Sequence, residues 1–316
     1  MTAIQTPVSI VVPVYNSESS LPLLYERLNA VMTGQRRGFE LILVDDGSRD
    51  ESWAVICRLA AQHTNVRGFH MLRNYGQHNA LLCGIRAAGH RFIATMDDDL
   101  QNPPEELPRL LEELEKGYDV VYGTPQKQTH GLFRDAASTL TKVILQRAMG
   151  AGVARNLSAF RVFRTELRSA FADYRGSYVS IDVLLTWGAR RYSAIPVRND
   201  PRVFGESNYT FYKLVSHAIN ITTGFSTLPL KLASVAGFAC TVFGLAILAW
   251  VTVGYLLHGS SVPGFAFLAS MTAIFSGAQL FTLGIFGEYL ARIHVRSMDK
   301  PSYTIGESTE SGEGAA

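Results

Sequence analysis

The sequence predicts an α/β domain, a mostly parallel sheet flanked by helices, followed by juxtamembrane helices and two transmembrane helices. Three observations carry this reading. Short apolar runs alternate with amphipathic stretches over the first part of the chain, the rhythm of a parallel sheet covered on both faces. No Asp, Glu, Lys or Arg occurs from Leu232 to Gly287, although the 316 residues hold 29 Lys and Arg and 27 Asp and Glu. Polar residues gather where the apolar runs end, and ligands of such sheets bind at the carboxyl ends of the strands.

Taken in order, Val8 to Val14 reads as the first strand and ends in Pro13-Val14-Tyr15-Asn16. It is too short, and lacks the basic start, for a signal peptide. Leu21 to Thr33 has helical spacing. Glu40 to Asp45 is the second strand and runs into Asp45-Asp46-Gly47-Ser48, which is good turn chemistry. A helix over Ser52 to His63 follows. The third strand, Val66 to Leu72, leads into Arg73-Asn74-Tyr75-Gly76-Gln77, and Gln77 to Ala88 reads as a helix. Phe92 to Asp97 is the fourth strand, ending in Asp97-Asp98-Asp99-Leu100-Gln101. The next helix, Pro104 to Lys116, opens with proline in its first turn and Glu105 and Glu106 near its positive end. Asp119 to Gly123 is the fifth strand.

The charge-free region divides into Ala233–Leu257 and Pro263–Gly287. Each exceeds the roughly 20 apolar residues that a span needs. The hinge between them, His258 to Val262, has no Lys or Arg, whereas Lys213 and Lys231 precede the pair and Arg292, Arg296 and Lys300 follow it. The positive-inside rule then places both termini in the cytoplasm. Gly237, Gly244, Gly277, Gly284 and Gly287 could let the helices pack closely. Tyr209 to Thr227 mixes aromatics with Lys213 and hydroxyls and reads as interfacial helix. The expected division is a catalytic domain over 1–208, juxtamembrane helices over 209–231, an anchor over 232–290 and a cytoplasmic tail over 291–316. Ser302 to Ala316, with glutamates among Gly and Ser, reads as disordered. The overall 18% charge and mean hydropathy of +0.10 are then a blend of two unlike parts.

Several classes are disfavoured. Three cysteines without C-x-x-C spacing indicate neither a disulfide scaffold nor a zinc site. A net charge of +2 does not point to nucleic acid. Neither G-x-G-x-x-G nor G-x-x-x-x-G-K-[ST] is present. The acidic cluster is the strongest local signal. Three adjacent carboxylates repel one another unless a cation sits among them, and Mg²⁺ or Mn²⁺ takes oxygen ligands while bridging substrate phosphates. Alternate residues of an extended strand point the same way, so Asp97 and Asp99 could address one ion, with Gln101 adding an amide oxygen and Asp98 as a structural neighbour. The plainer alternative is a solvated acidic turn. A carboxylate of Asp45-Asp46 could accept hydrogen bonds from a nucleobase or ribose, or could serve only the turn.

The segments VSIVVPVYN, LILVDDGSRDES, RNYGQHNALLCG, DDDLQNPPEELPRLL and RVFGESNYTFYKL, in this order and ahead of two apolar runs, resemble family 2 glycosyltransferases, and among them the polyprenyl-phosphate glycosyltransferases. RNYGQH and LQNPPEE are most like the branch that transfers formylated aminoarabinose. The resemblance runs from about Pro7 to Tyr303. It implies a GT-A nucleotide-diphospho-sugar fold, with Pro13, Tyr15 and Asp46 holding the nucleoside. Asp97, Asp99 and Gln101 would hold the metal and the donor diphosphate. Arg134, with Ser138 one turn on, matches part of a basic set that handles phosphates, and Arg202 to Ser207 resembles the family's R-x-x-G-x-S loop. Asp97, Asp99, Arg134 and Arg202 are therefore the catalytic candidates. Pro13, Tyr15, Asp45, Asp46, Arg73, Gln77, Ser138, Arg161 and Ser207 are the candidates for substrate binding.

Three positions depart from the family pattern. Tyr-Asn-Glu reads Tyr15-Asn16-Ser17, so the nucleotide either does without that glutamate or meets Glu18 in its place. Ser-Lys reads Ser207-Asn208. Ala159 stands where some relatives carry an aspartate proposed as a base. A phosphate monoester has a second pKa of about 6, so a lipid phosphate is largely ionised near neutrality and needs little deprotonation. The expected reaction is an inverting transfer of one sugar, from a nucleotide-sugar with UDP favoured, to undecaprenyl phosphate at the cytoplasmic face. The expected cofactor is Mg²⁺ or Mn²⁺, and the resemblance allows a homo-oligomer. A processive polysaccharide synthase is the runner-up, weakened by the absence of Q-x-x-R-W and of further spans. An inactive membrane-anchored partner subunit is the non-enzymatic alternative, motivated by the three departures.

Overall fold

The computed structural model describes residues 5–125, 157–176, 179–200, 228–258 and 264–310. The chain divides into two units, one of Met1–Leu214 with Lys300–Ala316 and one of Val215–Asp299.

The first unit contains β1 (Gln5–Val14), α1 (Leu21–Gly34), β2 (Arg37–Asp45), α2 (Ser52–Gln62), β3 (Val66–Met71), α3 (Gln77–Ala87), β4 (Phe92–Thr95), a 3-10 turn (Pro104–Glu106) leading into α4 (Leu107–Glu115), and β5 (Val120–Pro125). Then follow β6 (Arg161–Arg164), a second 3-10 segment (Thr165–Phe171), α5 (Ile181–Thr186), β7 (Tyr192–Val197) and, near the end of the chain, β8 (Ile305–Ser308). Among the described residues these strands form one mixed sheet in the order β7-β5-β6-β4-β1-β2-β3-β8. The pairs β1–β2, β1–β4, β2–β3 and β5–β7 are parallel. β6 lies antiparallel to β4 and β5, and β8 antiparallel to β3.

The central strand explains why its sequence shows little alternation. Ile10 and Val12 enter one core with Leu24 and Leu28 of α1, while Val11 enters a second core with Leu81 and Ile85 of α3. A strand buried on both faces needs apolar side chains on both. Helix α1 buries Leu21, Leu24, Tyr25, Leu28 and Met32, one stripe at helical spacing. In α3, Gly84 permits close approach: a Cβ there would stand 2.3 Å from Val11 Cγ1 and 3.1 Å from Val44 Cγ2.

Register fixes where the site must be. Val14 pairs with Asp45 and Asp45 with His70, so the loops that leave β1, β2 and β3 emerge side by side. β4 runs parallel to β1 with Val11 opposite Thr95, which delivers Asp97 to Gln101 to the same edge.

One expectation is corrected here. The segment after Ser302 is ordered through Glu310 rather than disordered. β8 pairs along β3, with Phe69 opposite Ser308 and His70 opposite Glu307, and Trp53 Nε1 donates to Glu307 at 2.9 Å. The free edge of β3 supplies unpaired backbone groups, and a polar segment satisfies them without burying side chains. The antiparallel β6, and β7 beyond it, were also not among the strands read from sequence.

The second unit contains α6 (Leu228–His258) and α7 (Gly264–Ser297). Within α6, Leu230–Gly254 is long and apolar enough to cross a membrane, by length and composition. Phe238, Leu248 and Trp250 are exposed along it. Of the small residues singled out, Gly244 faces α7, where a Cβ would stand 2.9 Å from the Phe275 ring. Gly237, Gly277, Gly284 and Gly287 meet nothing within 4 Å. The region Tyr209 to Thr227 lies outside the described residues.

Candidate active site

The converging loops enclose a cavity of about 620 Å³ lined by Pro13, Val14, Tyr15, Asp46, Asn74, Gly76, Gln77, Asp97, Asp98, Asp99, Gln101 and Ala159. Its size suits a small organic ligand. Seven of the residues singled out from sequence meet here: Pro13, Tyr15, Asp46, Gln77, Asp97, Asp99 and Gln101.

Asp46 is held by the backbone of the loop after β3. Tyr75 N–H donates to its Oδ1 at 2.6 Å and Gly76 N–H to its Oδ2 at 2.8 Å. Gly76 turns its amide this way with φ of +95°, a conformation that glycine adopts without strain. Gly47 is equally constrained. Its φ is +68°, and a Cβ would stand 2.6 Å from the Arg73 carbonyl carbon and 2.8 Å from Asn74 N. Burial pushes the Asp46 carboxyl up to about 6 despite these two donors, with Asp45 adding to the rise.

The acidic cluster is held from three sides. Gln77 Nε2, on the first residue of α3, donates to Asp97 Oδ1 at 2.7 Å. Gln101 N–H donates to Asp99 Oδ1 at 3.1 Å, and between them buried Leu100 sits at φ +59°. A leucine in the left-handed region is strained, and such strain concentrates at functional turns. Asp98 accepts from Tyr15 N–H at 3.4 Å. Burial pushes its carboxyl up to about 6, against hydrogen bonds from Ser17 and Tyr15. Asp98 thus ties the β1 loop to the acidic turn.

Among the described residues no group of three or more His, Cys, Asp or Glu is arranged to cage a metal ion. The cavity instead presents Asp97, Asp99 and Gln101, all oxygen donors. That set fits a hard cation which takes one or two carboxylates from the protein and the rest from substrate phosphates and water.

Other sequence candidates fall elsewhere. Asp45 is fully buried and spends its oxygens on Ser48, whose N–H and hydroxyl both donate to it, and on His70 Nδ1 at 2.6 Å. It braces β2 against β3 and is absent from the cavity lining. Arg161 is 1% exposed, pairs with Asp182 and donates from Nε to Thr95 Oγ1 at 3.0 Å. It is a core residue behind the acidic turn. Arg73 lies over the Tyr75 ring, 4.6 Å from its centroid, outside the lining. Glu18 accepts from Glu51 N–H at 2.8 Å at the start of α2, so it is not aimed at the cavity. Ala159 does stand on the cavity wall, and its carbonyl accepts from Thr95 Oγ1 at 2.7 Å. Arg134, Ser138, Arg202 and Ser207 lie outside the described residues.

Sequence reasoning missed Asn74 and Gly76, which line the cavity from the loop after β3, and gave Asp98 no tethering role. The RNYGQ segment held the signal, since a glycine ahead of a helix marks a turn that can aim amides inward.

The model of the family described as Glycosyl transferase family 2 matches residues 9–171. The chain belongs to glycosyl transferase family 2. The undecaprenyl-phosphate 4-deoxy-4-formamido-L-arabinose transferase of Photorhabdus laumondii is 36% identical over 301 residues, covering 94% of this chain and 93% of that one. The transferase of the same name from Yersinia enterocolitica is 35% identical over 314 residues, covering 97% and 96%. The sheet also matches glucosyl-3-phosphoglycerate synthase of Mycobacterium tuberculosis crystallised with Mn²⁺, UDP-glucose and phosphoglyceric acid. That match has a TM-score of 0.51 and 18% identity over 69% of this chain and 78% of that one. It shows the fold, a GT-A type mixed sheet with flanking helices, and the family assignment makes the chain a glycosyltransferase.

Proposed function

We propose that this family 2 enzyme transfers one sugar from a nucleotide-sugar, a UDP-sugar foremost, to undecaprenyl phosphate at the cytoplasmic face of a membrane. The observation that carries the reading is a single cavity with two different acidic walls. Asp46 is a lone carboxylate clamped by backbone amides, and Asp97 and Asp99 form a hard-oxygen wall on a different loop. The first suits the N–H and O–H donors of a nucleoside, with Pro13 and Tyr15 beside it. The second suits a diphosphate carried by Mg²⁺ or Mn²⁺, with Gln101 alongside. Bound there, a divalent cation would supply charge neutralisation for the leaving nucleoside diphosphate.

The rest of the chemistry is positioning. A lipid phosphate with a second pKa of about 6 is already a nucleophile, so Ala159 on the wall is compatible with direct displacement and inversion. Arg134, Ser138, Arg202 and Ser207 are proposed to bring the acceptor and donor phosphates together. The names of the close relatives support both the lipid acceptor and 4-deoxy-4-formamido-L-arabinose as the first sugar to test. The charge-free stretch from Leu232 to Gly287 supports an anchor of two spans with the flanking Lys and Arg inside, which would hold the cavity beside its lipid.

The test is transfer of radiolabelled sugar to undecaprenyl phosphate by purified full-length protein with Mn²⁺, comparing the parent with Asp99→Ala. The parent should make a lipid-linked product and the variant none. Full activity in Asp99→Ala would remove the metal–diphosphate role from this wall.

A further inference from the structure

The loops that leave β1 and β2 are stitched to each other by side chains. Asn16 N–H donates to Ser48 Oγ at 2.9 Å, Ser17 N–H to Ser52 Oγ at 2.8 Å and Glu18 N–H to Asp50 Oδ2 at 3.2 Å. In return, Arg49 N–H donates to Asn16 Oδ1 at 2.8 Å and Glu51 N–H to Glu18 Oε2 at 2.8 Å. Each bond runs from a backbone amide of one loop to a side-chain oxygen of the other. Asn16 sits at φ +54°, a left-handed conformation that asparagine tolerates better than most residues.

Within this stitch Ser48 has a second partner. Its hydroxyl and its N–H both donate to Asp45, a fully buried carboxylate whose other oxygen meets His70 Nδ1 at 2.6 Å. One hydroxyl thus joins an anchor inside the sheet to the loop after β1. The cavity lies beside both ends of the connection. Tyr15, on one wall, directly precedes Asn16, and Asp46, on another, stands two residues before Ser48. The bond that the Tyr15 amide itself makes, to Asp98, is long at 3.4 Å, beyond the usual range for N–H to oxygen. The shorter bond at Asn16 is the firmer hold on this turn.

We propose that Ser48 is a positioning residue for the nucleoside: its hydroxyl latches the β1 turn to Asp45 and so keeps Tyr15 in register with the Asp46 wall. Ser48 does not line the cavity, so it acts through Asn16 and Asp45 rather than by touching ligand. A turn free to open locally would spend part of its time with Tyr15 away from that wall, and ligand affinity falls by the fraction of time lost. This inference rests on the nucleoside reading of the cavity.

The experiment uses the full chain in detergent with Ser48→Ala, which removes the hydroxyl, and Ser48→Thr, which keeps it. Asp45 retains the residue 48 N–H and His70 in both. Amide hydrogen exchange is read at Ser17 and Arg49, whose own acceptors on Ser52 and Asn16 are untouched by the substitution. Uridine affinity is measured by ligand-observed NMR. One hydrogen bond at about its ordinary net worth predicts roughly threefold to tenfold faster exchange at both amides in Ser48→Ala. The Kd for uridine should rise about twofold or more, and by no more than the exchange factor, because opening is the only route to the loss. Exchange in β5 should not change, and Ser48→Thr should restore both values. Gly84→Ala, which strains the core away from this turn, should leave both at parent values. Unchanged exchange in Ser48→Ala overturns the latch. Faster exchange with unchanged uridine affinity overturns its service to the cavity, as does an equal loss of affinity in Gly84→Ala or a failure of Ser48→Thr to restore it. A parent protein that binds no uridine refutes the nucleoside reading instead, and the exchange comparison still decides whether Ser48 holds the turn.

Discussion

Asp46→Asn isolates the nucleoside wall. The parent carboxylate offers one oxygen to each of two backbone amides, at 2.6 and 2.8 Å. An asparagine offers one oxygen and one NH₂, so one amide gains no acceptor and faces a donor. Leaving a buried donor unpaired costs about 1–3 kcal/mol, which corresponds to roughly 5- to 150-fold in affinity. A pH signature accompanies the loss. With its carboxyl at about 6, Asp46 accepts from a nucleoside only when ionised. Binding should weaken about twofold at pH 6 and about elevenfold at pH 5 relative to the alkaline plateau. Uridine is the right probe, because it carries no phosphate to involve a metal, and titration followed by ligand-observed NMR between pH 5 and 8 is the assay. Unfolding would not imitate the effect. A carboxyl raised above its ordinary 3.8 in the folded state contributes stability that is fully present below that value and is lost as pH rises through about 6. The Asn variant should bind weakly with a flat profile. A variant that keeps the same fall towards pH 5 would assign the titration to another group and refute a role for the Asp46 carboxylate.

Other changes probe the surrounding scaffold. Gly47→Ala drives a Cβ against the Arg73–Asn74 backbone at a positive φ, so the backbone must shift, and it should weaken uridine binding severalfold and lower the melting temperature. Arg161→Met strips the part-buried Asp182 of its cationic partner and leaves it the Tyr122 hydroxyl, and should destabilise the fold by up to about 3 kcal/mol in chemical denaturation, with Arg161→Lys recovering part of it. Gly84→Ala pushes into Val11, an overpacking that should cost about 1–3 kcal/mol without altering the pH profile of uridine binding. Removing divalent metal with EDTA should abolish sugar transfer yet leave uridine affinity unchanged, as measured side by side on one preparation.

Much of this layout is legible in the sequence because it is written in strand ends. Val8 to Val14 and Phe92 to Asp97 carry their polar residues directly after an apolar run, so both the strands and the residues they present can be read. Asp46, Asp97 and Asp99 are visible for that reason. Asp45 is misread because adjacent carboxylates at a strand end look alike, whereas the strand's alternation sends one to Ser48 and His70 and the other to the cavity. Arg161 reads from sequence as a candidate for substrate binding, and only the packing of β6 against β4 reveals a buried side chain paired with Asp182. β8 escapes notice because Ile305-Gly306-Glu307-Ser308 has no apolar pattern. Its order comes from the backbone of β3, a partner distant in sequence.

If one cavity passes a single sugar to a polyprenyl phosphate, the lipid product itself is the decisive readout. Purified full-length protein is incubated with Mn²⁺, undecaprenyl phosphate and a panel of labelled nucleotide-sugars, and the lipid extract is read by mass spectrometry. One donor, a UDP-sugar, should give a product heavier than the lipid phosphate by a single sugar. Products with several sugars, or no lipid-linked product from any donor while uridine still binds, would contradict single transfer to the lipid.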